Sequence, residues 1–267
     1  MGPAPAAGGT LHYIANIGED ANAVAALGYN LFDIGPGERI DALPPGGRAL
    51  VWLGDLGDED CAPPRVPFAE FKAAVDRLAG HPRVYGYFIA DEPHPRACPT
   101  AVDEIRRRAD YIRARAPWQR SFIVVQDGTN QCGGTYGCEF SALRPAESHV
   151  DLIGLDPYPC SVDKGCLLSK VDDTVRRAAA AGIPRRAMVP VFQAFGQSCS
   201  SGSNYYRLPN AAEARALLAR WAAAVPQPAF DYTYTWGRQG SSCPSLADAD
   251  GEGGYPDLQS VFAAHNS

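Results

Sequence analysis

The sequence predicts an α/β fold: a single-domain (β/α)8 TIM barrel with disulfide-stapled βα loops. Three observations predict it. Short β-branched and aromatic runs recur eight times, helical patterns follow most of them, and all eight cysteines fall beyond the C-terminal ends of those runs. Strict βα alternation implies parallel strands joined by right-handed crossovers, and eight such units close into a barrel. A length of 267 residues suits one barrel, which takes about 250. No G-x-G-x-x-G follows the first run, so the doubly wound open sheet is disfavoured.

Residues 1–10, MGPAPAAGGT, read as a flexible leader without the charged start or apolar centre of a secretory signal, leaving 11–267 as the barrel domain. The strands are expected at LHYIANI (11–17), YNLFDIG (29–35), ALVWLGD (49–55), VYGYFIADE (84–92), SFIVVQD (121–127), VDLIGLD (150–156), AMVPVFQAF (187–195) and FDYTYTW (230–236). Amphipathic helices are expected over 19–27, 67–79, 101–115, 140–147, 168–181, 210–224 and 256–264. Thr100 and Asn210 are placed to cap two of them. The second unit is the weakest, since the residues between its strand and the next leave room for barely one helical turn.

Composition narrows the function classes. A formal charge of −6 without a basic run gives no footprint for a phosphate backbone, so no nucleic-acid partner is expected. No apolar stretch approaches the roughly 18 residues of a membrane span, so no membrane is expected either. The histidines form neither H-x-H nor H-E-x-x-H, and no cysteine pair has C-x2-C spacing, so neither metal nor other cofactor is expected. No G-x-S-x-G elbow exists for a serine nucleophile. Oligomeric state is not readable from the sequence.

In such a barrel the loops beyond the strand C-termini build the site. Those ends carry Asn16, Asp33, Asp55, Asp91 with Glu92, Gln126 with Asp127, Asp156, Gln193 and Trp236. Some of these acids can be explained as helix caps, Asp55 and Asp127 most readily. Alternation sharpens the rest: Leu152, Gly154 and Asp156 share one face, as do Gly86, Phe88, Ala90 and Glu92. If those faces point inward, Glu92 and Asp156 meet in the mouth. Two carboxyl groups on one cleft suit glycosidic hydrolysis, one protonating the leaving oxygen and the other attacking the anomeric carbon or activating water. Asp33, Asp91, Tyr158, Gln193, Tyr234 and Trp236 are the expected sugar-binding residues, although Trp236 equally fits a core plug at the barrel end.

The run GYFIADEPH (86–94) resembles the catalytic-acid strand of (β/α)8 glycoside hydrolases. The resemblance implies Glu92 as general acid/base and Trp236 beneath the sugar. The largest retaining clan has Asn before its acid and a Glu nucleophile ending strand seven, where this chain has Asp91 and Gln193. The α-galactosidase-like clan places its pair on strands four and six, the positions of Glu92 and Asp156. Substrate-assisted hexosaminidases use adjacent acids ending strand four, as Asp91 and Glu92 would be. Three arrangements stay open.

The cysteines Cys61, Cys98, Cys132, Cys138, Cys160, Cys166, Cys199 and Cys243 form an even set suited to an oxidising compartment, so a secreted protein is expected. Short separations favour Cys132 with Cys138 and Cys160 with Cys166, leaving Cys61 with Cys98 and Cys199 with Cys243 as candidates. The same loops carry Tyr136, Tyr158, Tyr205, Tyr206 and Tyr255, whose rings suit sugar faces. The expectation is therefore a glycoside hydrolase acting on a poly- or oligosaccharide. The rival is a catalytically silent carbohydrate-binding barrel in which Gln193 marks a lost nucleophile.

Overall fold

The computed structural model describes residues 10–54, 61, 64–126, 128, 134, 137–199, 204–247 and 255–267. Residues 1–9, Asp55, Asp127, Cys132 and Tyr136 of the sequence reading lie outside them. Eight parallel strands close a barrel: β1 (Leu11–Ile14), β2 (Leu31–Ile34), β3 (Arg48–Trp52), β4 (Val84–Asp91), β5 (Arg120–Val125), β6 (Leu152–Leu155), β9 (Met188–Gln193) and β10 (Phe230–Tyr234). The order runs β1 to β6 around the wall, then β9 and β10, with β10 pairing back onto β1. Each strand falls within or beside one of the eight expected runs. Two short strands, β7 (Cys160–Ser161) and β8 (Gly165–Cys166), form an unexpected antiparallel hairpin in the loop after β6.

The helices are α1 (Ala21–Ala26), α2 (Phe68–Leu78), α3 (Thr100–Arg115), α4 (Cys138–Leu143), α5 (Pro145–Ser148), α6 (Ser169–Ala180), α7 (Ala211–Ala224) and α8 (Pro256–His265). The second unit carries only a 3-10 turn, Ile40–Ala42, as its short connection requires. Asn210 caps α7 through a reciprocal box with Glu213. Thr100 does not cap α3: it is the first helical residue, behind Pro99, and no side chain bonds the terminus.

Alternation along the strands divides the apolar residues into two layers. Phe32, Val51, Ile89, Ile123, Ile153 and Phe192 face the helices, while Tyr13, Leu50, Phe88, Phe122, Leu152, Phe230 and Tyr232 fill the barrel. The interior rings meet edge to face, Phe88 with Phe122 at 4.7 Å and Phe122 with Phe230 at 4.9 Å between centroids. This is the arrangement in which ring edges meet ring faces of opposite partial charge. Gly154 belongs to this interior, since an added Cβ would lie 2.9 Å from Phe122 and from Val124. Gly86 serves the strand pairing instead. A Cβ there would stand 2.2 Å from the Arg120 carbonyl oxygen, so the glycine permits close approach of β4 and β5.

Disulfides join Cys61 to Cys98, Cys160 to Cys166 and Cys199 to Cys243, as proposed from spacing. Cys138 is also disulfide-bonded, and its expected partner Cys132 is outside the described residues. Among the described residues no helix is long and apolar enough to cross a membrane.

Candidate active site

Strand β6 behaves as its alternation predicts. Leu152 and Gly154 point inward, and Asp156, one step past the strand, continues their face into the mouth. Strand β4 does not. A register shift between Phe88 and Ala90 sends Ile89 and Ala90 to the outer layer, and Asp91 then pairs with the interior-facing Val124. The bulge thus gives the inward position to Asp91 rather than to Glu92, which is how one extra residue re-aims a strand. Glu92 reaches the mouth because the backbone turns there, with φ at +42° and its amide bonded to the Val124 carbonyl at 3.1 Å.

The result is a cluster of acids from two strand ends. Asp156 is 3% exposed, and apart from the Glu92 carboxyl group neither of its oxygens has a hydrogen-bond partner among the described residues. Burial pushes its pKa well above the usual carboxylate range, and the neighbouring Glu92 and Asp91 charges push the same way. Glu92 is close enough to hydrogen-bond Asp156 when one of the two carboxyl groups carries a proton, and that contact also raises the pKa of Asp156. Glu92 is half-buried and accepts from Gln126 Nε2 at 3.3 Å. Asp91 is exposed, and its charge also raises the pKa of Tyr13, Tyr232 and Tyr234. Asp33 lies on the inward face of β2, bonded by the Asn16 amide at 3.0 Å and by Tyr13; burial raises its pKa.

Tyrosines form the wall beside the acid pair. Tyr158 meets Phe195 edge-on at 4.9 Å, Tyr206 at 5.7 Å and Tyr234 at 6.0 Å. Burial first, and then the charges of Asp156 and Glu92, raise the pKa of Tyr158 and Tyr206, so these phenols stay protonated beside the acids. Burial likewise brings Tyr234 to about 12, and its hydroxyl bonds Gln239 and Ser242, both at 3.2 Å. Tyr206 was legible as a loop aromatic, but nothing in the sequence placed it at the acids.

Two expected sugar contacts are occupied elsewhere. Gln193 is fully buried, its Oε1 taking the Cys160 amide at 2.8 Å. Its Nε2 donates to the carbonyls of Cys160 at 2.9 Å, Arg207 at 3.0 Å and Phe195 at 3.3 Å. This side chain pins the hairpin and the following loops to β9. Gln193→Leu should therefore lower stability by about 2–4 kcal/mol, because buried backbone groups lose their partners. Denaturant unfolding reads this directly, and a purely sugar-binding Gln193 would leave the midpoint unmoved.

Trp236 lies in the layer beneath the helices, 7% exposed, with its indole N–H donating to Asp20 at 2.8 Å. It is the core plug of the two readings. The tryptophan on the inward face is Trp52, ending β3 one alternation step beyond the interior Leu50. It is half-buried, edge-on to Phe88 at 4.5 Å. The same alternation in ALVWLGD would have found it, had an aromatic been sought on strand three.

No protein-family model matches the sequence, and no curated protein does. Solved structures match the fold. A GH128 (subgroup I) endo-β-1,3-glucanase from Amycolatopsis mediterranei, in complex with laminaritriose, superposes with a TM-score of 0.56 at 15% identity, over 96% of this chain and 98% of that one. A thermostable mutant of a xylanase from Cellvibrio japonicus gives 0.60 at 10% identity, over 98% of both chains. A β-glucuronidase from Faecalibacterium prausnitzii gives 0.60 at 11% identity over 97% of this chain, which spans 48% of that protein. At these identities the likeness is one of fold, the closed eight-stranded (β/α)8 barrel.

Proposed function

We propose that residues 11–267 form one catalytic domain that hydrolyses glycosidic bonds, with Glu92 and Asp156 as its carboxyl pair. What supports this reading is that Glu92 and Asp156, from the ends of β4 and β6 on either side of β5, stand close enough for one proton to bridge them, in a site walled by tyrosines. Glu92, the more exposed of the two, delivers that proton to the leaving oxygen. Both carboxylates then stand ionised beside the positive charge developing on the sugar, a charge arrangement stabilising the transition state and not the ground state. A hydrogen-bond contact is shorter than both the about 5–5.5 Å of a retaining pair and the about 6.5–9.5 Å of an inverting one, so Asp156 serves as nucleophile or as general base. The proton goes to the glycosidic oxygen as its bond to the anomeric carbon breaks; Asp156 either bonds that carbon and is then displaced by water, with Glu92 taking the water's proton, or itself takes the proton of a water that attacks the carbon.

The structural neighbours solved with laminaritriose or xylopentaose make β-linked glucans and xylans the first substrates to try. The disulfides support a secreted enzyme working in an oxidising compartment. Incubation with a panel of these glycans should produce new reducing ends. Binding across the panel without cleavage by the wild-type chain would sink the enzyme reading in favour of a silent carbohydrate binder.

Trp52 and Trp236 separate binding from packing. Trp52→Ala should raise KM up to about tenfold, the worth of one stacking contact. Trp236→Phe should leave KM unchanged and cost about 1 kcal/mol of stability through the lost Asp20 bond. Steady-state kinetics and thermal melts on the two variants check the pair together.

A further inference from the structure

At the other end of the barrel, three side chains from remote parts of the sequence meet. His12 on β1 and Asp231 on β10 are register partners, each the second residue of its strand, and alternate with the interior Tyr13 and Tyr232. Both therefore face outward, where the last turn of α8 brings His265 against them. His12 Nδ1 stands 3.0 Å from each Asp231 oxygen, and His265 Nε2 stands 2.8 Å from Oδ2. The two imidazole nitrogens and the carboxylate oxygen lie within 4.8 Å of one another. Asp231 is 3% exposed.

The cluster opens on a cavity of about 630 Å³ between α7, α8 and the barrel wall. Phe192 and Trp221 supply an apolar lining, and Asn266 contributes Oδ1, a buried acceptor without a donor. Two imidazoles and one carboxylate on an enclosed space are a donor set suited to a borderline divalent ion, with the cavity side left for water.

We propose that His12, Asp231 and His265 form a zinc site. With zinc–nitrogen bonds of about 2.0–2.1 Å, tetrahedral ligand atoms stand about 3.3 Å apart. The two imidazole–carboxylate contacts need to open by a few tenths of an ångström, and the two imidazole nitrogens, within 4.8 Å of each other, need to settle at the same spacing to hold the ion. No short motif announces the site, because its ligands come from the first strand, the last strand and the last helix. Bound there, zinc cross-links those three elements, and an ion that binds only the folded chain stabilises it by mass action.

The test uses the whole chain without a polyhistidine tag, stripped by chelator, exposed to zinc chloride and desalted. Elemental analysis should find one zinc per chain, with a melting temperature above that of the stripped protein. Cobalt(II) loading of the wild type should give the visible absorption of a tetrahedral nitrogen–oxygen site, a readout that needs no variant. His265→Ala, at the partly exposed edge of the cluster, should lose the ion while keeping its circular dichroism. Sub-stoichiometric zinc in the wild type, or equal zinc in His265→Ala, overturns the proposal and leaves a hydrogen-bonded clasp. Glu92→Gln should retain zinc in full, so the outcome here is independent of whether the mouth cleaves glycans.

Discussion

Glu92→Gln lowers turnover by about 10²–10⁴-fold, the usual contribution of one positioned acid, while the melting temperature stays where it was. The amide preserves size and can still meet Gln126, so packing around the β4 end is conserved. What it removes is the proton shared with Asp156. Activity should be measured as reducing ends on the best glycan of the panel, with substrate binding followed separately by calorimetry. Retained binding with lost turnover is the expected result; wild-type rates would end the assignment of Glu92. The wild-type pH profile carries the same information. Because Asp156 keeps its proton well above the usual carboxylate range, activity that depends on the shared proton persists above that range and falls as pH rises through the raised pKa.

Asp156→Asn is expected to abolish turnover and yet to strengthen the fold, by about 1–3 kcal/mol at neutral or mildly basic pH, the cost of a buried polar group without a partner. In the wild type no described group other than Glu92 can donate to either oxygen, and ionising Asp156 in the folded chain is opposed by burial and by Glu92. The amide can donate to the Glu92 carboxylate without any shared proton. The sign follows from linkage. A folded-state pKa above the unfolded value near 3.8 means that the folded chain holds more protons once pH exceeds about 4. Wild-type stability therefore declines as pH rises from there through the raised pKa, then levels. Urea melts across pH should show that decline in the wild type and lack it in Asp156→Asn. A variant less stable than wild type at every pH would show that Asp156 is held by interactions that favour its charge.

Much of the barrel was readable because alternation and βα order are properties of every strand. Even the stunted second unit was visible, since the 13 residues of 36–48, PGERIDALPPGGR, are too rich in Gly and Pro to hold a helix of ordinary length. Alternation also put Asp156 in the mouth, because β6 is regular. It failed at β4, where a bulge costs one residue of register and no composition signal marks it, so Asp91 took the face assigned to Glu92. The sequence left Trp236 between two readings and assigned Gln193 to the sugar for a shared reason. Position at a strand end says nothing about whether a polar atom already has a partner, and theirs are Asp20 and the hairpin backbone. The His12–Asp231–His265 cluster was hidden by distance along the sequence, which only closure of β10 onto β1 removes.

The described disulfides all lie on the rim: Cys61–Cys98 spans the loops after β3 and β4, Cys199–Cys243 those after β9 and β10, and Cys160–Cys166 closes the hairpin after β6. None bridges the wall itself. The covalent reinforcement is thus concentrated where chain entropy is greatest and strand pairing ends. Between those anchors the connecting residues are free to drift in sequence, so new specificities can arise on this scaffold without endangering the cylinder beneath.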